Sequence, residues 1–279
     1  MMILKNYLIT AWRNIYNHKL FSMINILGLS IGLAACMLIA LFVRHELSYD
    51  KFWNNSENIY RMHQSFLPTG RPSMEFSFAG GPIYHALKKD FPQVEYVTRE
   101  ARRRATFIKG NDYFEEPLSI TDPDFFDIFN FDILEGSLTG VLDDQSAIVL
   151  SKRLADKFFP DESPLGQTIT INADAFAREF VVRAIIDEIP DNSQLAVGAV
   201  VAINEEEWKE QEWMFDHWFS VNSHLYYTLT PGTNIEEINN QMPAFIDRNF
   251  PKQGNDNQVS DYVIRGQYMP RNKRCLSHG

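Results

Sequence analysis

Between Lys19 and Arg44 the chain carries no charged residue. The run from Phe21 to Val43, "FSMINILGLSIGLAACMLIALFV", is apolar almost throughout. As a helix it measures roughly 34 Å, and a bilayer core of about 30 Å takes about 20 residues, so it suits a tilted span. The competing reading is a cleaved leader. Phe21 to Ala35 has the character of a signal h-region, and "LAAC" (Leu33 to Cys36) looks like a lipoprotein cleavage site. However, "MLIALFV" prolongs the apolar run past Cys36, where a lipoprotein places a polar linker. The expectation is a permanent anchor.

The segment before the run is itself patterned. Leu4, Leu8, Ala11, Trp12, Ile15 and Tyr16 recur at helical spacing, with Lys5, Arg13, Asn14, Asn17 and Lys19 between them. A basic helix with aromatic rings on its apolar side suits the plane of a membrane interface, with Tyr7, Trp12, Arg13 and Lys19 as anchors. The alternative is a cytosolic extension of the span. Within the run, Gly28, Gly32, Cys36 and Ala40 repeat every fourth residue and predict a face on which another membrane helix packs. "GLSIG" (Gly28 to Gly32) matches a nucleophile-elbow pattern, but that motif needs a strand–turn–helix context that a lipid span denies it.

The formal charge of the chain is −10, while residues 1–43 hold Lys5, Arg13 and Lys19 and no acid, so the remainder carries −13. An acidic domain without a sustained basic patch argues against nucleic acid as a partner, and "ARRRA" (Ala101 to Ala105) reads as a solvated strand or turn. Lys and Arg flank the span evenly, so the positive-inside rule leaves orientation open. Outside the span the chain has Cys275 alone, so it offers no intramolecular disulfide and no thiolate metal site.

Beyond the span the pattern predicts mixed α+β structure. A strand is expected around Ile59 to Phe66, then a Pro- and Gly-rich loop ("LPTGRPSM"), then a Pro-started helix with Ile83, Leu87 and Phe91 on one side. "RATFIKGNDYFEEPLSITD" reads as two short strands turning at "KGND", and Thr121 to Asp124 as a helix start. "AIVLSKRLADKFFPDESPLGQTITIN" predicts a strand, a helix capped by Ser151, a turn and a strand. A longer strand follows in "REFVVRAIID", entering a turn at "PDNS". "SHLYYTLTPGTNIEEINNQMPAFIDRNFP" repeats the strand–helix theme. The two strand–helix units, near Tyr60–Phe91 and Leu225–Phe250, are expected to form one layered unit, with a β-rich insertion between them.

No catalytic constellation emerges. The seven His show no metal spacing, and "HELSY" at His45 lacks the second His of a zinc-protease helix. There is no phosphate-binding Gly-rich loop with Lys. Asp122, Asp124 and Asp127 in "TDPDFFD" lack the Gly and distal Glu of a calcium loop and read as a helix cap. "NEEEWKEQEW" (Asn204 to Trp213) reads as an acidic surface helix or turn. The chain is expected to be a non-enzyme without cofactor or metal.

The ordered string of residues 6–61 resembles the start of MacB/FtsX-type ABC transporter permeases. The matching positions are Arg13-Asn14, His18-Lys19, Ser22, Ile24-Asn25, Gly28-Leu29, and Glu46 to Asp50 with Phe52. "LSKRLADKFFPDESPLGQTI" and "IIDEIPDNSQL" look like the periplasmic core domain of the same family. The resemblance implies a non-catalytic inner-membrane subunit, N-terminus in the cytoplasm and large domain in the periplasm. It also implies a separate cytoplasmic ATPase, a homo- or hetero-dimer of permeases, and transmission of the ATPase stroke across the bilayer.

On this reading residues 1–20 form the interfacial helix and 21–43 the span. Residues 44–130 and 205–265 build a porter-like α/β core around a β-rich subdomain at 131–204, and 266–279 form an irregular tail. The stop at "QYMPRNKRCLSHG", with no second apolar run, departs from the family and reads as a truncated permease. The alternative is a single-pass anchored interaction or sensor domain without transport activity.

Overall fold

The computed structural model describes residues 2–67, 72–211, 213–250 and 261–268. It divides into two compact units, the first ending at Ser48 and the second beginning at Tyr49. In the first unit, helix α1 (Met2–Asn17) is separated from α2 (Lys19–Leu47) by His18, whose backbone leaves the helical region. Helix α2 contains the apolar run, adds polar residues at both ends, and buries no side chain against protein. Arg44 and His45 lie in its last turn, where cations oppose the partial negative charge of the helix end.

The second unit is built on one eleven-stranded sheet. Strand β1 (Ile59–Leu67) leads through β2 (Met74–Phe76) to α3 (Ile83–Asp90) and β3 (Val94–Lys109). Strand β10 (His224–Leu229), α6 (Ile235–Asn249) and β11 (Asp261–Tyr268) close the chain order. The strands lie as β11-β1-β10-β3, all antiparallel, which is a split βαβ arrangement. One face carries both helices: Met62, Val97, Leu225, Tyr227 and Leu229 pack with Ile83, Leu87, Ile238, Met242 and Phe245. The two strand–helix units, some 140 residues apart in the sequence, thus share one core layer. Helix α6 starts where Asn234 accepts a bond from the Glu236 N–H, a side-chain cap for a donor the helix leaves unpaired.

Between β3 and β10 the chain adds β4 (Asp112–Thr121), α4 (Phe125–Ile128), β5 (Ile133–Gly136), β6 (Ala147–Ser151), α5 (Lys152–Phe158), β7 (Thr168–Asn172), β8 (Ala177–Ile186) and β9 (Ala199–Ala202). These strands extend the same sheet in the order β4-β9-β6-β8-β5. One face packs on α5 through Phe107, Leu118, Ile120, Leu150, Leu154, Phe158 and Phe180. The opposite face holds Trp53, Phe125, Phe129, Val149, Ala184 and Val200.

Several local expectations change. The two strands around "KGND" are long, 16 and 10 residues. Strand β3 is shared: its first half pairs β10 and its second half pairs β4 and β7. Strand β9 is buried on both faces, so its apolar run shows no alternation to read from sequence. Ser151 and Asp124 occupy N-cap positions, yet neither side chain makes the cap bond, and α4 is a single turn. The tail expected to be irregular from 266 is part of β11 through Tyr268; 269–279, with Cys275, and 68–71 of the expected loop lie outside the described residues.

Candidate functional site

The chain leaves α2 at Ser48, whose N–H and hydroxyl both donate to the His45 carbonyl, at 3.1 and 2.7 Å. Two residues later Asp50 takes φ +56°, the one positive φ among described non-glycine residues. That conformation costs most L-residues energy, and Asp is among the few that adopt it locally. Asp50 is fully buried. Its N–H donates to the Asn192 carbonyl (3.0 Å), and its Oδ1 accepts from the Ser193 hydroxyl (2.8 Å) and the Gln194 N–H (3.0 Å). Gln194 Oε1 in turn accepts from Arg61 Nη1 at 2.7 Å, which ties the pair to β1.

Burial raises the Asp50 carboxyl above the usual carboxylate range, opposed by the Gln194 and Ser193 donors and by the Arg61 charge. Beside it Trp53 is buried, its ring 5.1 Å from both Phe129 and Phe131. The segment "SYDKFW" is thus latched to the "PDNSQ" turn by hydrogen bonds and anchored by one indole. The sequence carried both strings, but nothing in either showed that they meet.

A second polar centre joins β3, β4, α3 and the 3-10 turn at Glu205–Gln211. Arg99, 1% exposed, holds Asp122 with Nε to Oδ2 at 2.9 Å and Nη2 to Oδ1 at 2.7 Å. Its backbone N–H adds a 2.7 Å bond to Asp122, and Nη2 reaches Glu205 at 2.6 Å. The guanidinium lies 4.4 Å from the Tyr84 ring and 4.9 Å from the Phe215 ring. Burial alone would lower the Arg99 pKa, but Asp122 and Glu205 raise it on balance. Burial would raise Glu205, but Arg99 and the His85 ring 2.9 Å away hold it below its ordinary value.

This geometry corrects the helix-cap reading of "TDPDFFD". Asp122 serves Arg99, while Asp124 pairs with Lys88 at 2.9 Å and accepts from the Val97 N–H. The acidic 205–211 segment is more than a surface feature, since Trp208 is buried and Glu205 completes the Arg99 pair. Gly80 and Gly81 sit hard against the same region: a Cβ on either would strike the Trp218 or Phe215 carbonyl.

Gly28, Gly32, Cys36 and Ala40 lie along α2 and are exposed, with nothing within 4 Å of a Cβ built on either glycine. Tyr7, Trp12 and Arg13 are exposed on α1, and Lys19 Nζ stands 4.3 Å over the Tyr16 ring. Among the described residues no three His, Cys, Asp or Glu side chains converge as metal ligands would.

An apolar helix long enough to cross a membrane precedes a split βαβ layer with an inserted run of strands. The chain belongs to the family of the MacB-like periplasmic core domain, whose pattern matches residues 22–245. It is 25% identical over 182 residues to the uncharacterized ABC transporter permease YvrN of Bacillus subtilis (strain 168), covering 60% of this chain and 44% of that protein. The chain therefore spans less than half the length of this curated relative.

In three dimensions it is similar to a domain assigned to a permease of Porphyromonas gingivalis. The TM-score is 0.64 at 19% identity, over 78% of this chain and 92% of the other. The periplasmic region of MacB from Actinobacillus actinomycetemcomitans aligns with a TM-score of 0.47 at 15% identity, over 73% and 87% of the two chains. The first of these likenesses bears on fold.

Proposed function

We propose that the chain works as a non-catalytic permease subunit, or the N-terminal part of one, which couples a cytoplasmic ABC ATPase to a periplasmic domain. Helix α2 spans the inner membrane with the N-terminus in the cytoplasm. Tyr7, Trp12, Arg13 and Lys19 hold α1 at the lipid headgroups. Gly28, Gly32, Cys36 and Ala40 form the face on which a membrane helix of a second permease packs. The split βαβ layer forms the porter-like part, and residues 131–204 the β-rich subdomain set into it. Nucleic acid is no partner of this acidic domain.

One observation supports mechanical coupling above the others. The residue two positions beyond the helix cap is not a linker residue but a buried carboxylate, bonded to the turn at 192–194. That latch fixes the first residues of the domain to the turn at 192–194.

Two measurements test the reading. A single cysteine at Tyr113, exposed at the β3–β4 tip, in a Cys36→Ser, Cys275→Ser background, should react with a membrane-impermeant maleimide in spheroplasts without lysis. Reaction only after lysis would refute the orientation. Isolation of the full chain from native membranes in mild detergent should bring down a nucleotide-hydrolysing ABC subunit. Its absence would favour an anchored domain without transport activity.

A further inference from the structure

Helices α1 and α2 meet at His18, whose backbone takes φ −118° and ψ 52°. Beside this break lies an open groove of about 370 Å³. Ile15 and Tyr16 of α1 line it, with Lys19, Ser22, Met23, Ile26 and Leu27 of α2. These positions recur every three or four residues, so one face carries the groove from the first helix into the second.

The polar groups lie nearest the break. Lys19 stands in the first turn of α2, its Nζ 4.3 Å over the Tyr16 ring, and Ser22 follows one turn on. Beyond them the wall is Met23, Ile26 and Leu27. From Lys19 to Leu27 a helix advances about 12 Å, so the groove runs from the charged end of α2 into its apolar part. That order, charge first and hydrocarbon after, is the order of groups along a phospholipid.

Charge selects among phospholipids. Residues 1–43 hold Lys5, Arg13 and Lys19 and no acid, so no carboxylate within that stretch neutralises Lys19. An anionic headgroup supplies the missing charge. A zwitterionic headgroup brings an ammonium of its own, which would lie beside Lys19 with no carboxylate to receive it. The face also matters. At 3.6 residues per turn, Gly28 and Gly32 lie on the far side of α2 from Lys19, Met23 and Ile26. A helix packed on the small residues therefore leaves the groove to lipid.

We propose that this groove binds one anionic phospholipid. Its phosphate lies against Lys19 and Ser22, and an acyl chain runs along Ile15, Met23, Ile26 and Leu27. This rests on the reading that α2 spans the membrane, and it adds the class of lipid and the side chains that select it.

The test places the full chain in nanodiscs holding equal amounts of phosphatidylglycerol and phosphatidylethanolamine with identical acyl chains. After release into mild detergent, native mass spectrometry counts the lipids retained. Phosphatidylglycerol should be retained about fivefold over phosphatidylethanolamine, the effect of one lysine beside an anionic headgroup. Lys19→Gln should abolish the preference, whereas Arg13→Gln, outside the groove, should leave it in place. Met23→Trp, which fills the groove, should reduce retention of both lipids. None of the three should move the melting temperature of the domain that follows Ser48.

Equal retention of the two lipids overturns the proposal, as does unchanged retention in Met23→Trp. So does an Arg13→Gln loss as large as that of Lys19→Gln, because the attraction is then diffuse and not seated in the groove. A disulfide forming readily between two Met23→Cys chains in a Cys36→Ser, Cys275→Ser background would show a second copy in the groove and exclude lipid. Alkaline carbonate separates the two levels of failure. If it extracts the chain from membranes, the span itself fails; if the chain stays in the membrane without selecting phosphatidylglycerol, the groove alone fails.

Discussion

Replacing Asp50 tests the latch one interaction at a time. Asn, Gly and Ala at this position all remove the buried charge, so relief of its desolvation is common to the three and cancels between them. Asp50→Asn keeps an acceptor for the Ser193 hydroxyl and the Gln194 N–H and tolerates φ +56°. Asp50→Gly tolerates the backbone but strands both donors. Asp50→Ala strands them and strains the backbone. A buried donor left unmade costs about 1–3 kcal/mol, and a left-handed non-glycine residue about 1–2 kcal/mol.

Asp50→Ala should therefore be about 3–8 kcal/mol less stable than Asp50→Asn, with Asp50→Gly between them and about 1–2 kcal/mol above Ala. At about 2–4 °C per kcal/mol for a domain of this size, the Asn-to-Ala gap is on the order of 10 °C or more. The assay is thermal unfolding of the full chain in detergent by circular dichroism. Equal melting temperatures for Asn and Ala would refute the hydrogen-bonded latch, and Gly no better than Ala would refute the backbone argument.

Titration adds a sign. A carboxyl whose folded pKa is raised favours the folded state below its ordinary pKa, and that contribution is lost as pH rises through the raised value. Asp50→Asn should thus compare better with the parent at pH 8 than at pH 4; no change in the difference would refute the burial cost.

Four further outcomes are expected. Arg99→Ala should cost about 3–5 kcal/mol, because it leaves the Asp122 carboxylate buried without its guanidinium partner; denaturant titration measures it, and a loss under 1 kcal/mol would deny the pair its structural role. Glu205, held below its ordinary pKa, contributes stability that is present above the unfolded value and lost as pH falls through the folded one. Glu205→Gln should flatten the acid limb of the stability curve, and an unchanged limb would count against it. Gly81→Ala should lower the melting temperature more than Gly110→Ala, since the first Cβ strikes the Phe215 carbonyl and the second meets open space at a positive φ. Gly32→Leu should reduce cross-linked permease assemblies in membranes without moving the domain's melting temperature, and undiminished cross-linking would remove the small-residue face.

Local chemistry alone made the long apolar helix legible, because a charge-free run of that length is a matter of composition and transfer energy, whatever the rest of the chain does. The strand–helix units around Ile83 and Ile238 were equally readable, since each buries one periodic face. What sequence could not show was which polar residues would be buried together. Asp50 and Ser193 stand 143 residues apart, and each looks like an ordinary turn residue. Arg99 sits beside a Glu in a strand, Asp122 beside a Pro, and Glu205 in an acidic run. Only sheet register and the docking of Phe215, His217 and Trp218 against Gly80 and Gly81 bring them within hydrogen-bond reach. Hydrophobic periodicity is written locally, whereas the partner of a buried charge is chosen by the tertiary fold, because desolvation penalises every arrangement that leaves the charge alone.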